Sequence, residues 1–523
     1  MSKAATWASE LEAQASKLGD RPFLYVVYQD RYISFREMDD NANRLANYLL
    51  SLGAKPGKGI ALLMNNSPQF LDVFFGMQQI GMYANTVNTG LKGDGLAFII
   101  DNSDTSYLVV DHDLVDLYLS VEKKTPRIEK VIVNTLEAPA GYTVPPGMLD
   151  LRAAYGPDVS AAKPTVEFDE GNIILLMYTS GTTGLPKGVV SRYNNNMVDR
   201  IRPLALFTVK PETVYYTALP LFHGNALFIT TTDSLIAGCT MALSKKFSAS
   251  RFWDEVWRSK ATTFNTIGAI IPILIKQPLN PHERDHCVER ILSAGCPADM
   301  WEDFETRFNI KIWEGYAAID GSGLIMNFGD GPKGSIGKPV NSQIRLVNDR
   351  GEDVATGEPG ELLFYVAKDC TDKVEYYKNP EAMEKKTKGQ WEYTGDLMYQ
   401  DKDGYLFFVG RAADSMMRRR GENVSAYDVE QAIMKHPAVL ECAVYGVPSE
   451  LTEDDIMASI RLVDGKMLTP RELLDFLRDK LARFAIPRYL RIVDDFPRTE
   501  TFRVKKNELK AAGVTVDTFD AEK

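Results

Sequence analysis

The residues best suited to chemistry form one run, 178–188, in which serines, threonines and glycines lead to a single lysine. The run follows the apolar stretch 173–177, which is typical of a buried strand. A glycine-rich bend that leaves a strand offers backbone N–H groups and hydroxyls that can surround an anion, and Lys187 adds a point charge. This combination suits the phosphates of a nucleotide.

The run is neither of the two common nucleotide-binding loops. The P-loop order G-x-x-x-x-G-K-[ST] is absent because Gly188 follows Lys187, and the run contains no G-x-G-x-x-G. A flexible surface hairpin is the alternative interpretation. Four serine and threonine hydroxyls, three glycines and a lysine within eleven residues argue against it.

Length and composition indicate a globular protein with more than one domain. The chain has 523 residues, a length that exceeds what one hydrophobic core usually supports. Its composition, 45% hydrophobic and 25% charged, is ordinary for a globular protein. A net charge of −11 argues against nucleic acid as a partner. Five cysteines and five histidines lack metal-ligand spacing, so we expect reduced thiols, a cytoplasmic location and no histidine-based metal centre.

The chain shows no pattern typical of membrane insertion. Its first 20 residues are polar and acidic, so no signal peptide is expected. The longest apolar segment, 267–275, is too short to span a bilayer and contains Pro272. We therefore expect no transmembrane segment, while peripheral membrane contact is left open.

Helices and strands alternate in the first part of the chain. Ser34 and Glu37 have the spacing of a capping box, and Pro68 stands at the first position of a second helix. Residues 136–168 are predicted to form a surface connection. The alternation predicts a parallel or mixed sheet flanked by helices. Strands are expected at 60–64, 107–110 and 130–134.

The character of the chain changes near Arg411. The remaining residues show strand patterns at 442–447 and 457–463, and Thr469 with Glu472 predicts a capped amphipathic helix. This length suits one small domain. The predicted organisation is an N-terminal domain at 1–410, a hinge at 411–414 and a C-terminal domain at 415–523.

From about residue 30 to 510 the sequence resembles the adenylate-forming superfamily, which includes acyl-CoA synthetases, luciferases and peptide-synthetase adenylation domains. The resemblance implies an α/β fold with a large N-terminal domain of mixed sheets flanked by helices and a small mobile C-terminal α+β domain. The sequence is most similar to the fatty acid transport protein/very-long-chain acyl-CoA synthetase branch, with crotonobetaine/carnitine-CoA ligases as the nearest alternative. The motifs that carry the branch assignment are 219–223, 246–253, 315–318 and 421–425.

The resemblance implies two half-reactions. A small-molecule carboxylic acid and ATP would form an acyl-adenylate and pyrophosphate, and coenzyme A would then displace AMP. It assigns the phosphates to Thr179, Ser180, Gly181, Thr182, Thr183, Gly184 and the catalytic Lys187. It assigns the nucleoside to Gly295, Cys296, Pro297, Tyr316, Asp396 and Arg411, and coenzyme A to Arg420 and Gly421. It also leaves a homodimer open.

Three positions depart from the superfamily pattern. Ile319 and Asp320 stand where the superfamily has Thr-Glu. Ile319 lacks the threonine hydroxyl that is directed at the phosphate. Asp320 is predicted to hold Mg²⁺ with a side chain one methylene shorter than that of glutamate. Arg503 stands at the position of the adenylation lysine, with Lys505 and Lys506 as alternatives if the register slips. These departures leave open a nucleotide- and acid-binding protein that has lost rapid catalysis.

His223 is predicted to position the acid at an acyl pocket and not to carry a proton, and a buried core histidine is the alternative. The predicted pocket is mostly apolar, which favours a fatty or steroid-like acid over a carnitine-type cation. The other residues expected to line it are Ala226, Leu227, Ile267, Gly268, Ala269 and Trp313.

Overall fold

The structure is a computed structural model that describes residues 4–179, 186–268, 270–367, 373–411, 416–419, 422–449, 454–498 and 504–522. The strands up to residue 411 are β1 (Pro22–Val26), β2 (Arg31–Ser34), β3 (Gly59–Leu63), β4 (Tyr83–Thr86), β5 (Thr105–Asp111), β6 (Lys130–Asn134), β7 (Leu149–Asp150), β8 (Ile173–Thr179), β9 (Lys187–Arg192), β10 (Val214–Thr217), β11 (Thr240–Leu243), β12 (Thr263–Ile267), β13 (Arg290–Ala294), β14 (Lys311–Tyr316), β15 (Ile325–Asn327), β16 (Lys338–Pro339), β17 (Ile344–Val347), β18 (Gly360–Tyr365), β19 (Thr387–Lys388), β20 (Trp391–Gln400) and β21 (Leu406–Arg411).

The helices of the same part are α1 (Trp7–Leu18), α2 (Phe35–Ser51), α3 (Pro68–Gln79), α4 (Gly93–Asn102), α5 (Val115–Leu119), α6 (Met197–Thr208), α7 (Thr232–Ala237), α8 (Phe252–Arg258), α9 (Ile270–Ile275), α10 (Ala298–Phe308) and α11 (Pro380–Lys386). The predicted helix starts are confirmed. The Ser34 hydroxyl accepts from the Glu37 N–H at 3.1 Å, and Pro68 opens α3 after the N-cap Ser67. The box at Ser34 is only half formed, because the Glu37 carboxylate pairs with Arg31.

Two large sheets carry most of the first part. One has the spatial order β7-β6-β5-β3-β4-β8-β9, parallel except for β9. The other has the order β16-β15-β14-β13-β12-β10-β11-β1-β2, and the strands from β14 to β1 in that order are parallel. In such sheets ligands bind outside the carboxyl ends of the strands. The residues that follow β10, β12, β13 and β14 therefore meet at one edge.

A shared apolar core joins the two large sheets. Helix α3 is buried along its whole length, and its Phe70, Phe74 and Phe75 side chains are fully enclosed. Burying one such ring contributes about 1.5–3 kcal/mol to folding. The connection 136–168 reaches this core too, since Leu151 and Ala154 are buried in it. The prediction of a purely surface connection was wrong in this part.

The residues after 415 form a smaller unit with its own core. Its elements are β22 (Met416–Arg419), β23 (Glu422–Ser425), α12 (Ala426–Met434), β24 (Val439–Pro448), β25 (Asp454–Leu462), α13 (Pro470–Leu477), β26 (Tyr489–Ile492), α14 (Lys506–Ala512) and β27 (Phe519–Asp520). The sheet order is β24-β25-β26-β27, and Thr469 and Glu472 form the expected capping box of α13. The α/β class with a large and a small part is confirmed, whereas the domain boundaries stay predictions.

The predicted hinge lies mostly outside the described residues, which include only Arg411 of 411–414. Within the part of the chain that the structure describes, no helix is both long and apolar enough to cross a membrane.

Candidate active site

Strands β8 and β9 bring the two ends of the predicted phosphate loop together. Thr179 is paired with Lys187 in the antiparallel register, and its hydroxyl lies 3.5 Å from the Lys187 carbonyl oxygen. One step further along the pair, a Cβ on Gly188 would lie 3.0 Å from the Tyr178 ring, so glycine permits this close pairing. The predicted phosphate residues Ser180, Gly181, Thr182, Thr183 and Gly184 lie outside the described residues.

Tyr376 connects the predicted catalytic lysine with the predicted metal-side carboxylate. The Lys187 ammonium lies 5.2 Å from the centroid of the Tyr376 ring. The Tyr376 hydroxyl donates a hydrogen bond of 2.6 Å to Asp320 Oδ2. Burial, followed by the charge of Asp320, raises the pKa of Tyr376, so its hydroxyl stays protonated and donates. Tyr376 was not predicted from the sequence, because nothing local distinguishes it from an ordinary loop tyrosine.

A buried cation also lies beside Asp320. The Lys386 ammonium, at the end of α11, is 3.6 Å from Asp320 Oδ2, and the lysine side chain is only 9% exposed. The neighbouring Glu392 is fully buried and accepts bonds of 3.1 Å from the Ser322 N–H and hydroxyl. Burial raises the pKa of Glu392, and Lys386 opposes that rise. Lys386 and Glu392 also escaped the sequence analysis.

Asp320 could supply one carboxylate ligand to Mg²⁺. Among the residues that the structure describes, no group of three or more histidine, cysteine, aspartate or glutamate side chains could hold a metal ion. Mg²⁺ commonly binds through one or two carboxylates together with substrate phosphates and waters. A single hard oxygen donor at Asp320, near Lys187, is compatible with that coordination.

The predicted nucleoside residues Tyr316 and Asp396 are in direct contact. The Tyr316 hydroxyl donates to Asp396 Oδ2 at 2.6 Å, and the Asp396 N–H donates to the Thr394 hydroxyl at 3.1 Å. Tyr316 ends β14 of the large sheet, and Asp396 is paired with Arg411 across β20 and β21. The Arg411 side chain, Arg420 and Gly421 lie outside the described residues.

The turn after β13 contains the predicted nucleoside residues Gly295, Cys296 and Pro297. Gly295 has a φ of +97°, and its N–H bonds Glu314 Oε1, while the Cys296 N–H bonds Glu314 Oε2 at 3.2 Å. A Cβ on Gly268 would lie 2.9 Å from the Gly295 carbonyl oxygen, so the two glycines allow a close approach. Pro297 follows and precedes α10. The turn therefore has a fixed backbone.

Glu314 holds this turn and was not predicted from the sequence. The residue is 3% exposed, and burial raises the pKa of its carboxyl group to about 7. Burial raises the pKa of the Cys296 thiol as well, so this cysteine is a poor nucleophile. The signal for Glu314 was an acidic residue inside a strand, directly after the apolar residues Ile312 and Trp313.

His223 lies in the segment after β10, next to the Asp320 turn. A Cβ on Gly224 would lie 3.3 Å from Ile319 Cδ1, which shows how closely the two turns pack. Burial lowers the pKa of His223 to about 4, and its Nε2 has no hydrogen-bond partner among the described residues. The imidazole is therefore neutral near pH 7, as both the predicted positioning role and the core-histidine alternative require.

A π-helix, Asn225–Thr231, follows His223. Such helices are rare and occur frequently at functional sites. Its Asn225 side chain accepts from Asn265 at 2.8 Å, so a polar pair lies at the start of this helix. Trp313 packs with Phe207 and Phe328. Ala269 lies outside the described residues.

Comparisons with known proteins identify the family of this chain. The family described as "AMP-binding enzyme" matches residues 11–367, and "AMP-binding enzyme C-terminal domain" matches residues 428–503. The chain is 30% identical to a crotonobetaine/carnitine–CoA ligase of Salmonella heidelberg (strain SL476), over 92% of this chain and 93% of that protein. It is also 30% identical to the medium/long-chain-fatty-acid–CoA ligase FadD6 of Mycobacterium tuberculosis (strain ATCC 25618 / H37Rv), over 99% of this chain and 87% of that protein.

Solved structures show the same fold. The anthranilate CoA ligase AuaEII in complex with anthranoyl-AMP matches with a TM-score of 0.87 and 25% identity, over 98% of both chains. A benzoate CoA ligase from Burkholderia xenovorans LB400 matches with a TM-score of 0.83 and 22% identity, over 97% of this chain and all of that one. The fold and the family matches define an adenylate-forming enzyme. The chain belongs to the AMP-binding enzyme family.

The predicted superfamily is therefore confirmed. The assignment to the fatty acid transport protein/very-long-chain acyl-CoA synthetase branch stays a prediction. A fatty-acid ligase and a carnitine-type ligase have the same sequence identity to this chain, 30%. The individual roles given to the site residues also stay predictions.

Proposed function

We propose that this chain is an AMP-forming acyl-CoA synthetase. It activates a carboxylic acid with ATP, releases pyrophosphate, and transfers the acyl group from the adenylate to coenzyme A with release of AMP. The observation that carries the proposal is the chain of contacts from Lys187 through Tyr376 to Asp320, which gathers the phosphate-directed groups of a family member at one place. The CoA ligases among its relatives support the same activity.

The first half-reaction needs alignment and charge neutralisation more than a base. A carboxylate oxygen attacks the α-phosphorus, and negative charge gathers on the phosphate oxygens. Lys187 neutralises part of that charge, and we assign the same task to Arg503. Asp320 is the residue that would hold Mg²⁺, which neutralises phosphate charge when it is bound.

The nucleoside is held by Tyr316, Asp396 and the turn at Gly295. Asp396 accepts from ribose hydroxyls, and the peptide backbone of the turn borders the adenine. Tyr316 keeps Asp396 in place through its hydroxyl, at 2.6 Å. In the second half-reaction coenzyme A enters beside Arg420 and Gly421, after the small domain turns about the hinge at 411–414.

We assign a fatty or other apolar acid as the substrate. Ala226 and Leu227, which follow His223, are fully buried and apolar, and one 30%-identical relative is named as a medium/long-chain-fatty-acid–CoA ligase. A crotonobetaine/carnitine-type acid is the second candidate, since the Asn225–Asn265 pair offers polar atoms near the pocket and the other relative is named for that substrate.

A screen of acids tests the proposal. Purified protein is incubated with ATP, Mg²⁺ and each of a series of fatty, aromatic and betaine acids, and ATP–pyrophosphate exchange, AMP and thioester are measured. Acid-dependent exchange, with AMP and thioester formed only when coenzyme A is added, supports the synthetase. Nucleotide binding without exchange for any acid would instead identify a binding protein.

The role of Arg503 has its own test. Arg503→Lys is expected to retain or raise exchange, because the ammonium restores the charge, whereas Arg503→Ala should abolish it. An Arg503→Ala variant with unchanged exchange would mean that Lys505 or Lys506 acts instead.

A cytoplasmic location is part of the proposal, since Cys239, Cys287, Cys296 and Cys442 are free thiols in the structure. A homodimer is a prediction from the resemblance, and peripheral membrane contact was left open by the apolar pattern of the sequence. Sedimentation with lipid vesicles and light scattering on the purified protein test them.

A further inference from the structure

Helix α11 ends in a buried lysine beside the predicted metal-side carboxylate. The Lys386 ammonium lies 3.6 Å from Asp320 Oδ2, and the side chains of Lys386 and Asp320 are 9% and 25% exposed. A buried ammonium is costly unless a counter-charge lies close to it, so the carboxylate stabilises this lysine. The neighbouring Lys385 and Lys388 are exposed. Of the three lysines in 385–388, Lys386 is therefore the one that acts on the site.

The departure from the superfamily pattern at Ile319 involves the same helix. Ile319 packs against a cluster formed by Val189, Tyr376 and Ala382, and Ala382 belongs to α11. Ala382 and Lys386 are one helical turn apart and lie on the same side of the helix. The isoleucine that replaces the superfamily threonine is thus packed against the side of α11 that carries Lys386.

Lys386 acts on more than one carboxylate. Burial raises the pKa of Glu392, Lys386 opposes this rise, and the charge of Asp320 adds to it. Burial also raises the pKa of Glu361, which accepts from the Gly395 N–H at 2.9 Å, and Lys386 is among the cations that oppose this rise. The Lys386 ammonium therefore offsets negative charge that several elements bring to one place.

The two carboxylate oxygens of Asp320 have different surroundings. The Tyr376 hydroxyl donates to Oδ2 at 2.6 Å, and Lys386 lies beside the same oxygen. Within the described part of the chain, no donor is hydrogen-bonded to Oδ1. Oδ1 is therefore the oxygen that is left for a cation, and it belongs to a carboxylate whose charge Lys386 already offsets.

A divalent ion at Oδ1 would be attracted by the carboxylate and repelled by the ammonium. Both interactions fall off only as the inverse of distance, so the ammonium beside Oδ2 still acts on an ion at Oδ1. When ionised, Asp320, Glu392 and Lys386 together carry one net negative charge, and without the lysine they would carry two. Mg²⁺ gives up its water reluctantly and commonly binds through substrate phosphates as well as carboxylates.

We infer that Lys386 makes the binding of Mg²⁺ at Asp320 depend on ATP. The ammonium offsets the carboxylate, so the free ion binds poorly, and the phosphates of ATP supply the additional negative charge that the ion requires. The inference rests on the proposed function, in which Asp320 is the residue that holds Mg²⁺. Lys386 acts through Asp320 and is a positioning residue.

Manganese binding to the nucleotide-free protein tests the inference without any turnover. Mn²⁺ takes the same oxygen ligands as Mg²⁺, and its electron paramagnetic resonance spectrum distinguishes free from protein-bound ion. Lys386→Met keeps the length of the side chain and removes the charge, whereas Lys386→Arg keeps a cation. Lys385→Met, at the exposed neighbour, is the matched control.

Lys386→Met should bind Mn²⁺ at least about tenfold more tightly than the unmodified protein when no ATP is present. Lys386→Arg and Lys385→Met should match the unmodified protein. The Asp320→Asn/Lys386→Met double variant should lose the gain, because the oxygen that binds the ion no longer carries charge. In the unmodified protein, the spectrum of protein-bound Mn²⁺ should appear only after ATP is added.

Equal Mn²⁺ affinity in Lys386→Met and the unmodified protein would overturn the inference, and so would a gain that persists in the double variant. Lys386→Gln keeps a hydrogen-bond donor without the charge, so it replaces the methionine variant if that protein does not fold, and the same gain is required of it. The proposed function is judged separately. It fails if no acid supports ATP–pyrophosphate exchange, whereas the manganese titration tests Lys386 in either case.

Discussion

Replacing Tyr376 by phenylalanine tests how the phosphate-directed groups are held together. The substitution removes the hydroxyl that donates to Asp320 at 2.6 Å and keeps the ring that lies 5.2 Å from the Lys187 ammonium. Tyr376→Leu removes both contacts. Comparison of the two variants therefore separates the hydrogen bond from the cation–π contact.

The structure sets the size of each effect. A hydrogen bond to an ionised group contributes about 1.5–3 kcal/mol, and a cation–π contact about 0.5–2 kcal/mol. Lys386, which lies 3.6 Å from Asp320, is unchanged in sequence in both variants and continues to attract the carboxylate. We therefore expect Tyr376→Phe to lower the free energy of unfolding by about 1.5 kcal/mol. Tyr376→Leu should lower it by about 3 kcal/mol or more, because the ring leaves a cavity as well.

Catalysis should follow the position of Asp320. Without the tyrosine hydroxyl its carboxylate turns toward Lys386, so the KM for MgATP in ATP–pyrophosphate exchange should rise about tenfold in Tyr376→Phe. Urea unfolding and exchange at a series of Mg²⁺ concentrations measure the two effects. Tyr365→Phe, at a tyrosine that is 37% exposed, is the matched control. An unchanged KM together with an unfolding free energy within about 0.5 kcal/mol of the unmodified protein would refute this account.

Three further substitutions have defined outcomes. Asp396→Asn weakens the acceptor proposed for the ribose hydroxyls, so the KM for ATP should rise about tenfold while the KM for the acid stays constant, as steady-state exchange would show. Gly268→Ala places a Cβ 2.9 Å from the Gly295 carbonyl oxygen and should cost about 1–3 kcal/mol in urea unfolding, whereas Gly95→Ala, which meets nothing within 4 Å, should not. Burial raises the pKa of Asp72 to about 7 from its ordinary value of 3.8, so the folded protein binds the extra proton between these values and loses stability as pH rises. Asp72→Asn should remove up to about 4 kcal/mol of that loss between pH 4 and pH 8, measured by urea unfolding across this range.

Local sequence patterns predicted the elements well, because each depends on neighbours in the chain. The strand expected at 130–134 is observed as Lys130–Asn134, and Pro68 begins α3 as its fixed φ requires. The half-formed capping box at Ser34 shows the limit of such patterns. Its Glu37 has the right spacing, but an arginine from the preceding strand competes for the carboxylate.

The site residues that belong to local sequence motifs were predicted. The residues that reach the site only through contacts between distant elements were not. Asp396 and Tyr316 were recognised separately, and the structure places them in contact across 80 residues of chain. Tyr376 and Lys386 gave no local signal, since their importance comes from partners on other elements. A buried lysine can be identified only once its surroundings are known.

The pairing of Asp396 with Arg411 has a mechanical consequence. Opposite residues of antiparallel strands lie about 5 Å apart. Asp396, which is proposed to bind the ribose, is therefore directly opposite the first residue of the predicted hinge. A force on the bound ribose would be transmitted from Asp396 to the predicted hinge through this one pair of neighbouring residues. We therefore expect release of the nucleotide and rotation of the small domain to be coupled directly through this pair of strands, without a path through the protein interior.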